Sequence, residues 1–126
     1  MKIINFILCD EVRTEDNGKQ ILIGVYAHNI KMNQFPATLS LTAWLQFMTG
    51  DSNVVHIDFR VLDQNHTMKI SGGGQVRVED KTALATLHLP KLIVEFQKPG
   101  EMIFQMRESG KRWKTVKTVA VEMSDS

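Results

Sequence analysis

Residues 92–121 read LIVEFQKPGEMIFQMRESGKRWKTVKTVAV and contain two strand-like runs around the clearest turn chemistry in the chain. Pro99 presets φ for the first corner of a tight turn, and Gly100 can take the positive φ that a type II turn requires next. After this turn, apolar side chains recur at every second position, at Met102, Phe104 and Met106. This alternation is typical of a half-buried β-strand.

A second turn reverses the chain at Ser109-Gly110, and residues 113–121 return as another strand. We expect this strand and the one before it to pair as an antiparallel hairpin. An isolated hairpin is only marginally stable in water, so its apolar face must pack against another sheet. The end of the chain therefore predicts a layered β-structure.

Two segments nearer the N-terminus, residues 39–48 and 54–62, alternate even more regularly between apolar and polar side chains. The residues that connect them, 49–53, have the composition of a turn. We therefore predict that the two segments pair as an antiparallel hairpin, with both apolar faces turned toward the core.

The outer face of this predicted hairpin is the candidate partner-binding surface. The alternation forces Trp44 outward, beside polar side chains of the second strand. Tryptophan, tyrosine and arginine are the side chains that dominate protein interfaces. The candidate residues are Tyr26, Trp44, His56, Asp58 and Arg60. The alternative is a Trp44 ring that the chain itself covers, for example with residues 29–36.

The remaining segments complete an all-β pattern. Residues 2–9 are apolar on both faces, as in a central strand that is covered on both sides. Asn17-Gly18 is a strong hairpin signal, and the three glycines at 72–74 indicate a bulge or a sharp bend within a strand. About eight short strands with turns between them predict one domain, residues 1–126, folded as an antiparallel two-sheet β-sandwich. A closed barrel is the alternative architecture.

Composition excludes several classes of protein. At 126 residues the chain can bury a substantial core without disulfides, and its net charge of +1 gives no global attraction to nucleic acid or an anionic membrane. The single cysteine, Cys9, suits a reducing compartment, so we expect a cytoplasmic protein. The opening MKIINFILC resembles a lipoprotein signal, but Leu8 stands where cleavage requires a small residue, so we expect a first strand instead.

Two stretches resemble a family of small bacterial proteins of unknown function that share this length. They are CDEVRTEDNGKQILIGVY at 9–26 and FQKPGEMIFQMRESG at 96–110. The members begin with a strand, an acidic loop and an Asn-Gly-Lys hairpin, and they end with a Pro-Gly hairpin. The resemblance implies an immunoglobulin-like sandwich of bacterial or phage origin. It carries no activity and no catalytic residues.

Catalytic and metal-binding patterns are absent from the sequence. No two histidines stand at metal-ligand spacing, and Cys9 has no second cysteine beside it. No serine lies in a nucleophile elbow. We therefore expect no catalytic residues, no metal and no cofactor. The alternative is an enzyme, or a small-ligand or metal-binding protein, whose site is built from loops at one end of the sandwich. Those loops carry carboxylates that include Asp10, Glu15, Asp16, Glu79 and Asp80.

One local excess of positive charge precedes the last strand, at Lys111, Arg112, Trp113 and Lys114. An aromatic ring among basic residues can stack a base while its neighbours hold phosphates. Edge strands also carry lysines that prevent aggregation, and this second role is favoured because the overall charge is balanced. The sequence therefore predicts a non-enzymatic binding module that recognises another protein or a second copy of itself, without nucleic acid or membrane.

Overall fold

The computed structural model describes residues 1–50, 54–78 and 84–125, and within these residues it contains ten β-strands and no helix. In chain order the strands are β1 (Lys2–Cys9), β2 (Glu11–Thr14), β3 (Gln20–Ile23), β4 (Ile30–Met32), β5 (Ala37–Met48), β6 (Val54–Asp63), β7 (Met68–Arg77), β8 (Ala85–Phe96), β9 (Gly100–Glu108) and β10 (Lys114–Met123). It follows that no helix in this part of the chain could cross a membrane.

β5 is the centre of a three-stranded antiparallel sheet, with β1 on one edge and β8 on the other. Successive side chains of a strand point to opposite faces of its sheet. The apolar set of β5 is fully buried and comprises Leu39, Leu41, Ala43, Leu45 and Phe47. This face forms one wall of the core.

The second sheet has five strands in the order β4-β10-β9-β6-β7. The predicted hairpin between β9 and β10 is confirmed, and Gly110 at its turn adopts a φ of +85°. β4 joins the outer edge of β10 in parallel, beside Val121–Met123 alone. A two-stranded sheet of β2 and β3 forms around Asn17-Gly18, where the sequence predicts a hairpin.

The two larger sheets enclose two neighbouring clusters of buried apolar side chains. The larger cluster includes Leu41 and Val94 from the first sheet and Phe104 and Val119 from the second. The smaller cluster joins Leu45 and Phe47 to side chains of β6 and β9. Four half-buried side chains pack against both clusters, namely Phe6, Phe59, Leu89 and Val116. Each fully buried leucine or phenylalanine stabilises the fold by roughly 1.5–3 kcal/mol.

The predicted hairpin between segments 39–48 and 54–62 is wrong. β5 pairs with β1 and β8, whereas β6 pairs with β7 and β9 in the other sheet. Both apolar faces point into the shared core, but they do so from opposite layers. Alternation determines which face a strand buries and leaves its neighbour undetermined. Part of the connecting segment, 51–53, lies outside the described residues.

The turn at Pro99-Gly100 also differs from its prediction. Gly100 is the first residue of β9 and does not adopt a positive φ. Because β8 and β9 belong to different sheets, this segment carries the chain from one layer to the other rather than closing a hairpin.

The prediction that β1 is a central strand is wrong. β1 is an edge strand of its sheet, and only its last two residues, Leu8 and Cys9, are buried. Its apolar residues on both faces are therefore only partly covered. The expected strand itself, at residues 2–9, is confirmed.

The all-β fold class is confirmed for the chain as far as it is described. Its strands number ten rather than about eight, and they form three sheets, one of which curls into a half-barrel. An immunoglobulin-like arrangement of two sheets is not confirmed.

The three glycines at 72–74 lie in a regular part of β7, so the predicted bulge at these residues is wrong. Gly72 pairs with Phe59 across the strands, and the next two glycines keep the register. A Cβ on Gly72 would lie 2.7 Å from Cε1 of the Phe59 ring. The absence of a side chain at this position therefore leaves room for the ring.

Replacement of Gly72 by alanine should destabilise the fold by about 1–3 kcal/mol, because the new methyl group overlaps the Phe59 ring. Gly74→Ala is the matched control, since a Cβ at this position of the same strand would have no other atom within 4 Å. The control should unfold like the parent or be slightly more stable. Urea unfolding midpoints measure the difference, and equal midpoints for the two variants would contradict the contact.

Candidate functional site

Trp44 lies on the outer face of the three-stranded sheet, where the chain itself partly covers it. Its Nε1 donates a hydrogen bond of 2.8 Å to Oε1 of Gln20, the first residue of β3. The β2–β3 hairpin therefore contributes to this cover. Trp44 is also on the opposite sheet from three residues of the predicted partner-binding surface, His56, Asp58 and Arg60.

Asp58 and Arg60 contact residues of β9 and of the turn after it. Asp58 accepts hydrogen bonds from Nε of Arg107 and from Oγ of Ser109, both at 3.0 Å. Nε of Arg60 donates to Oε1 of Gln105 at 2.7 Å. These bonds link the side chains of β6 to those of β9 on the outer face of the sheet. They use the polar groups of Asp58 and Arg60 that the sequence analysis predicts to bind a partner.

Trp113 is covered by two cations of its own chain. The guanidinium carbons of Arg60 and Arg107 each lie 4.3 Å from the centroid of the ring. Such cation–π contacts stabilise the Trp113 ring in this position. The two guanidinium groups therefore occupy part of the surface of the ring, and its basic neighbours remain exposed.

Tyr26 closes the junction between β1 and the β2–β3 hairpin. Its hydroxyl donates to Oδ1 of Asp10 at 2.8 Å, and its backbone nitrogen donates to the carbonyl of Leu8 at 2.9 Å. Burial, together with the hydrogen bond to Asp10, raises the pKa of Tyr26 to about 12. This contact is structural and lies apart from Arg60 and Asp58.

A cavity lies between β1 and β10, at one junction of the two sheets. We call it the seam cleft, and its volume is about 840 Å³. The residues that line it are Met1, Lys2, Ile3, Ile4, Phe6, Met106, Arg107, Glu108, Lys111, Arg112, Lys114, Thr115, Val116 and Lys117.

The rim of the seam cleft is strongly basic. Six of its described lining residues are cations: Lys2, Arg107, Lys111, Arg112, Lys114 and Lys117. Arg107 is paired with Asp58, and Lys111 lies 3.3 Å from a carboxylate oxygen of Glu108. The other four form no ion pair with any residue that the structure describes.

Glu108 is the one carboxylate among the described residues of the cleft, and it is already neutralised. The amino group of Met1 lies 2.7 Å from its Oε1, while Lys111 contacts its Oε2. The pKa of Glu108 is held below its usual value, mainly by the hydrogen bond from this amino group and to a smaller extent by Lys111. The charge of Glu108 therefore does not cancel that of the unpaired cations.

The floor of the seam cleft is apolar. Phe6, Met106 and Val116 form it, and the tilted ring of Phe6 packs against Phe104 with ring centroids 5.3 Å apart. Ile4 adds an exposed apolar side chain at the mouth, with 40% of its surface accessible. An apolar floor beneath a cationic rim suits a ligand that is apolar on one face and anionic on the other.

Two open sheet edges border this cleft. Among the strands described, β1 pairs with β5 alone, so its other edge faces the cleft. Residues 114–120 of β10 pair only with β9, because β4 reaches no further than Val121–Met123. Unpaired backbone groups along an edge are a template for an additional strand.

Sequence reasoning locates part of this site. The basic run at Lys111, Arg112 and Lys114 is visible as a motif, but nothing in the motif connects Lys2 and Phe6 with it. These two residues come from the other end of the chain and reach the cleft only because β1 is an edge strand. The sequence signal that could indicate this wall of the cleft is Lys2 beside the apolar residues at the start of β1, a half of the strand that the structure shows to be largely exposed.

The predicted absence of a metal or catalytic site remains a prediction. Within the described ranges, no three His, Cys, Asp or Glu side chains converge as a metal ion requires, although Glu79 and Asp80 lie outside them. Cys9 is buried, and burial raises the pKa of its thiol. A thiol with a raised pKa is a poor nucleophile.

Replacing Trp44 by phenylalanine removes the donor to Gln20 and should cost about 1 kcal/mol of stability. Gln20→Ala removes the same hydrogen bond from the other side. Because both changes break one contact, the double variant should be destabilised by less than the sum of the two. Denaturant unfolding of the four proteins measures this coupling. Strictly additive losses would show that the ring nitrogen is bonded to solvent instead.

Tyr26 is the single tyrosine, so its ionisation can be followed by tyrosinate absorbance. We expect a midpoint near pH 12, against a usual value of 10.0. A raised pKa means that the folded state favours the neutral phenol. The resulting stability is present below pH 10 and is lost as the pH rises toward 12. Asp10→Asn should lower the midpoint, and a midpoint near 10 in the folded parent would contradict the contact.

Comparison with known proteins gives one family assignment. No curated protein and no solved structure matches this chain significantly. A family model described as "Family of unknown function (DUF6941)" matches residues 4–118, which include most of β1, all of β2 to β9 and half of β10. Since the match covers most of the sequence, the chain belongs to this family of unknown function.

Proposed function

We propose that this protein is a non-enzymatic binding module and that it holds an anionic partner in the seam cleft. The observation that carries the proposal is a group of four cations around an apolar floor. None of the four forms an ion pair with a described residue, and they are Lys2, Arg112, Lys114 and Lys117. The chain as a whole carries a net charge of +1, so this concentration of positive charge is local. Local fields of this kind raise the rate and specificity of association with an oppositely charged partner.

The side chains of the cleft support binding rather than catalysis. Its described lining contains no histidine, cysteine or serine, and its one hydroxyl is that of Thr115. General acid–base or nucleophilic catalysis needs a base close to a nucleophile or to a transferable proton. Glu108 is the one candidate base in this lining, and its ion pairs favour the charged form and use its oxygens.

The outer face around Trp44 and the polar residues of β6 supports a partner surface less well than the cleft does. Hydrogen bonds within the chain occupy Trp44, Asp58 and Arg60, whereas the four cations of the rim form no ion pair with the described residues. A symmetric dimer through the cleft would place the same basic rim against itself, and like charges oppose that contact. The proposed partner is therefore a different molecule.

We also propose that the protein works in the cytoplasm of a bacterium or phage-infected cell, as a β-sandwich of the immunoglobulin-like kind. The support for the cytoplasm is Cys9, a lone buried thiol with no partner for a disulfide. The support for the sandwich is the core that two facing sheets enclose.

A charge-reversal experiment tests the cleft. Poly-glutamate and a single-stranded oligonucleotide serve as anionic probes at low ionic strength, and the variant Lys114→Glu/Lys117→Glu should bind the preferred probe at least about tenfold more weakly. The matched control is Lys19→Glu/Lys98→Glu, which changes two exposed lysines outside the cleft by the same charge.

Isothermal titration measures both affinities, and thermal unfolding checks that both variants fold. The affinity of the parent should fall as salt is added, because the contacts are between exposed charges. The proposal would be overturned if neither probe bound the parent protein, or if both variants lost the same amount of affinity.

A further inference from the structure

We infer that the occupant of the seam cleft is an extended acidic segment of another protein, which adds as a strand to the open edge of β10. This inference rests on the proposed function and specifies its partner. Addition of a peptide strand to a sheet edge is a recurring mode of recognition, in which backbone hydrogen bonds give affinity and alternate side chains give specificity.

The edge of β10 already accepts a strand at one end. β4 pairs in parallel with Val121–Met123, while residues 114–120 of the same edge have no such neighbour among the described strands. An added strand would lie end to end with β4 and continue the row that β4 begins. The open edge is long enough for a strand of about five residues, which is an ordinary length.

β1 borders the same cleft but offers a poorer edge. The pairing of β1 with β5 is irregular between Ile3 and Asn5, and the pairing of β10 with β9 has a comparable irregularity between Thr115 and Lys117. The two edges differ in what they already bind. The carbonyl of Leu8 on β1 accepts a hydrogen bond from the backbone of Tyr26, whereas the edge of β10 already accepts a neighbouring strand, β4. We therefore assign the hydrogen bonds to β10 and side-chain contacts to β1.

The composition of the cleft indicates the sequence of its occupant. Successive side chains of an extended peptide point to opposite faces. The set that faces inward would contact the floor at Phe6 and Val116. Lys114 and Lys117 lie on the same side as this floor, because they pair with the buried Met106 and Phe104. The preferred segment thus carries both apolar and acidic residues.

A solubility role and a nucleic-acid ligand both fit the site less well. Lysines on an edge strand can simply prevent aggregation, but that role requires no cleft of about 840 Å³ with an apolar floor beside them. Nucleic-acid bases stack on aromatic rings, and Trp113, the aromatic residue of the basic run, contacts Arg60 and Arg107 and does not line the cleft. A phosphodiester backbone also has no N–H donors for the carbonyls of an open edge.

The test uses the full chain and a labelled synthetic peptide in which glutamate and valine alternate. Two further peptides carry N-methyl groups, one on every glutamate and the other on every valine. In an extended strand these two sets of N–H groups point to opposite edges. Strand addition to β10 requires only the N–H groups that face β10. One methylated peptide should therefore bind at least about tenfold more weakly, and the other should bind like the unmethylated peptide.

Fluorescence anisotropy measures the three affinities, and hydrogen exchange reports on the protein. Amides of residues 114–120 should exchange more slowly in the complex. A peptide with valine replaced by serine should also bind more weakly, because it loses contact with the floor. A single-stranded oligonucleotide of similar charge is the competing ligand.

The outcomes separate the two proposals. If the parent and both methylated peptides bind equally and β10 exchanges as before, strand addition is wrong while charge-driven binding in the cleft stands. If the oligonucleotide binds and the peptide does not, the protein segment is wrong and an anionic partner stands. If neither ligand binds at low salt, the proposed function fails together with this inference.

Discussion

Every strand has two edges whose backbone groups need hydrogen-bond partners, and the use of these edges organises this protein. β5, β6 and β9 have both edges paired and lie at the centres of the two large sheets. β1 and most of β10 each have one edge that pairs with no described strand, and these two open edges lie on the same side of the molecule. The seam cleft exists because two sheets end beside each other without joining, and its cations are the residues that such margins carry.

The periodic parts of the fold could be predicted from the sequence, because alternation acts locally. The buried face of β5, the β9–β10 hairpin and the β2–β3 hairpin all follow from residues close together in the chain. The neighbours of β5 and β6 could not be predicted, since both strands present the same pattern and either layer satisfies it. The Pro99-Gly100 segment shows the same limit, because turn chemistry marks a change of direction without specifying which sheet the next strand joins.

The candidate site was only partly predictable for a related reason. The basic residues at 111–114 are close together and visible, but the floor beneath them depends on contacts between β1 and β10, at opposite ends of the sequence. Trp44 shows a similar dependence on distant residues. Its outward position is correct, yet the partner that covers it is Gln20 of the same chain. Long-range contacts turn an exposed aromatic residue into a structural one and a terminal strand into the wall of a cleft.

Phe6 belongs both to the floor of the cleft and to the packing of the two sheets, because it contacts both buried clusters. A molecule seated on this ring would exclude water from the contacts that join the layers. Occupancy is therefore linked thermodynamically to folding, and the melting temperature should rise with ligand concentration. A substitution of Phe6 would therefore change both the surface of the cleft and the packing of the two layers.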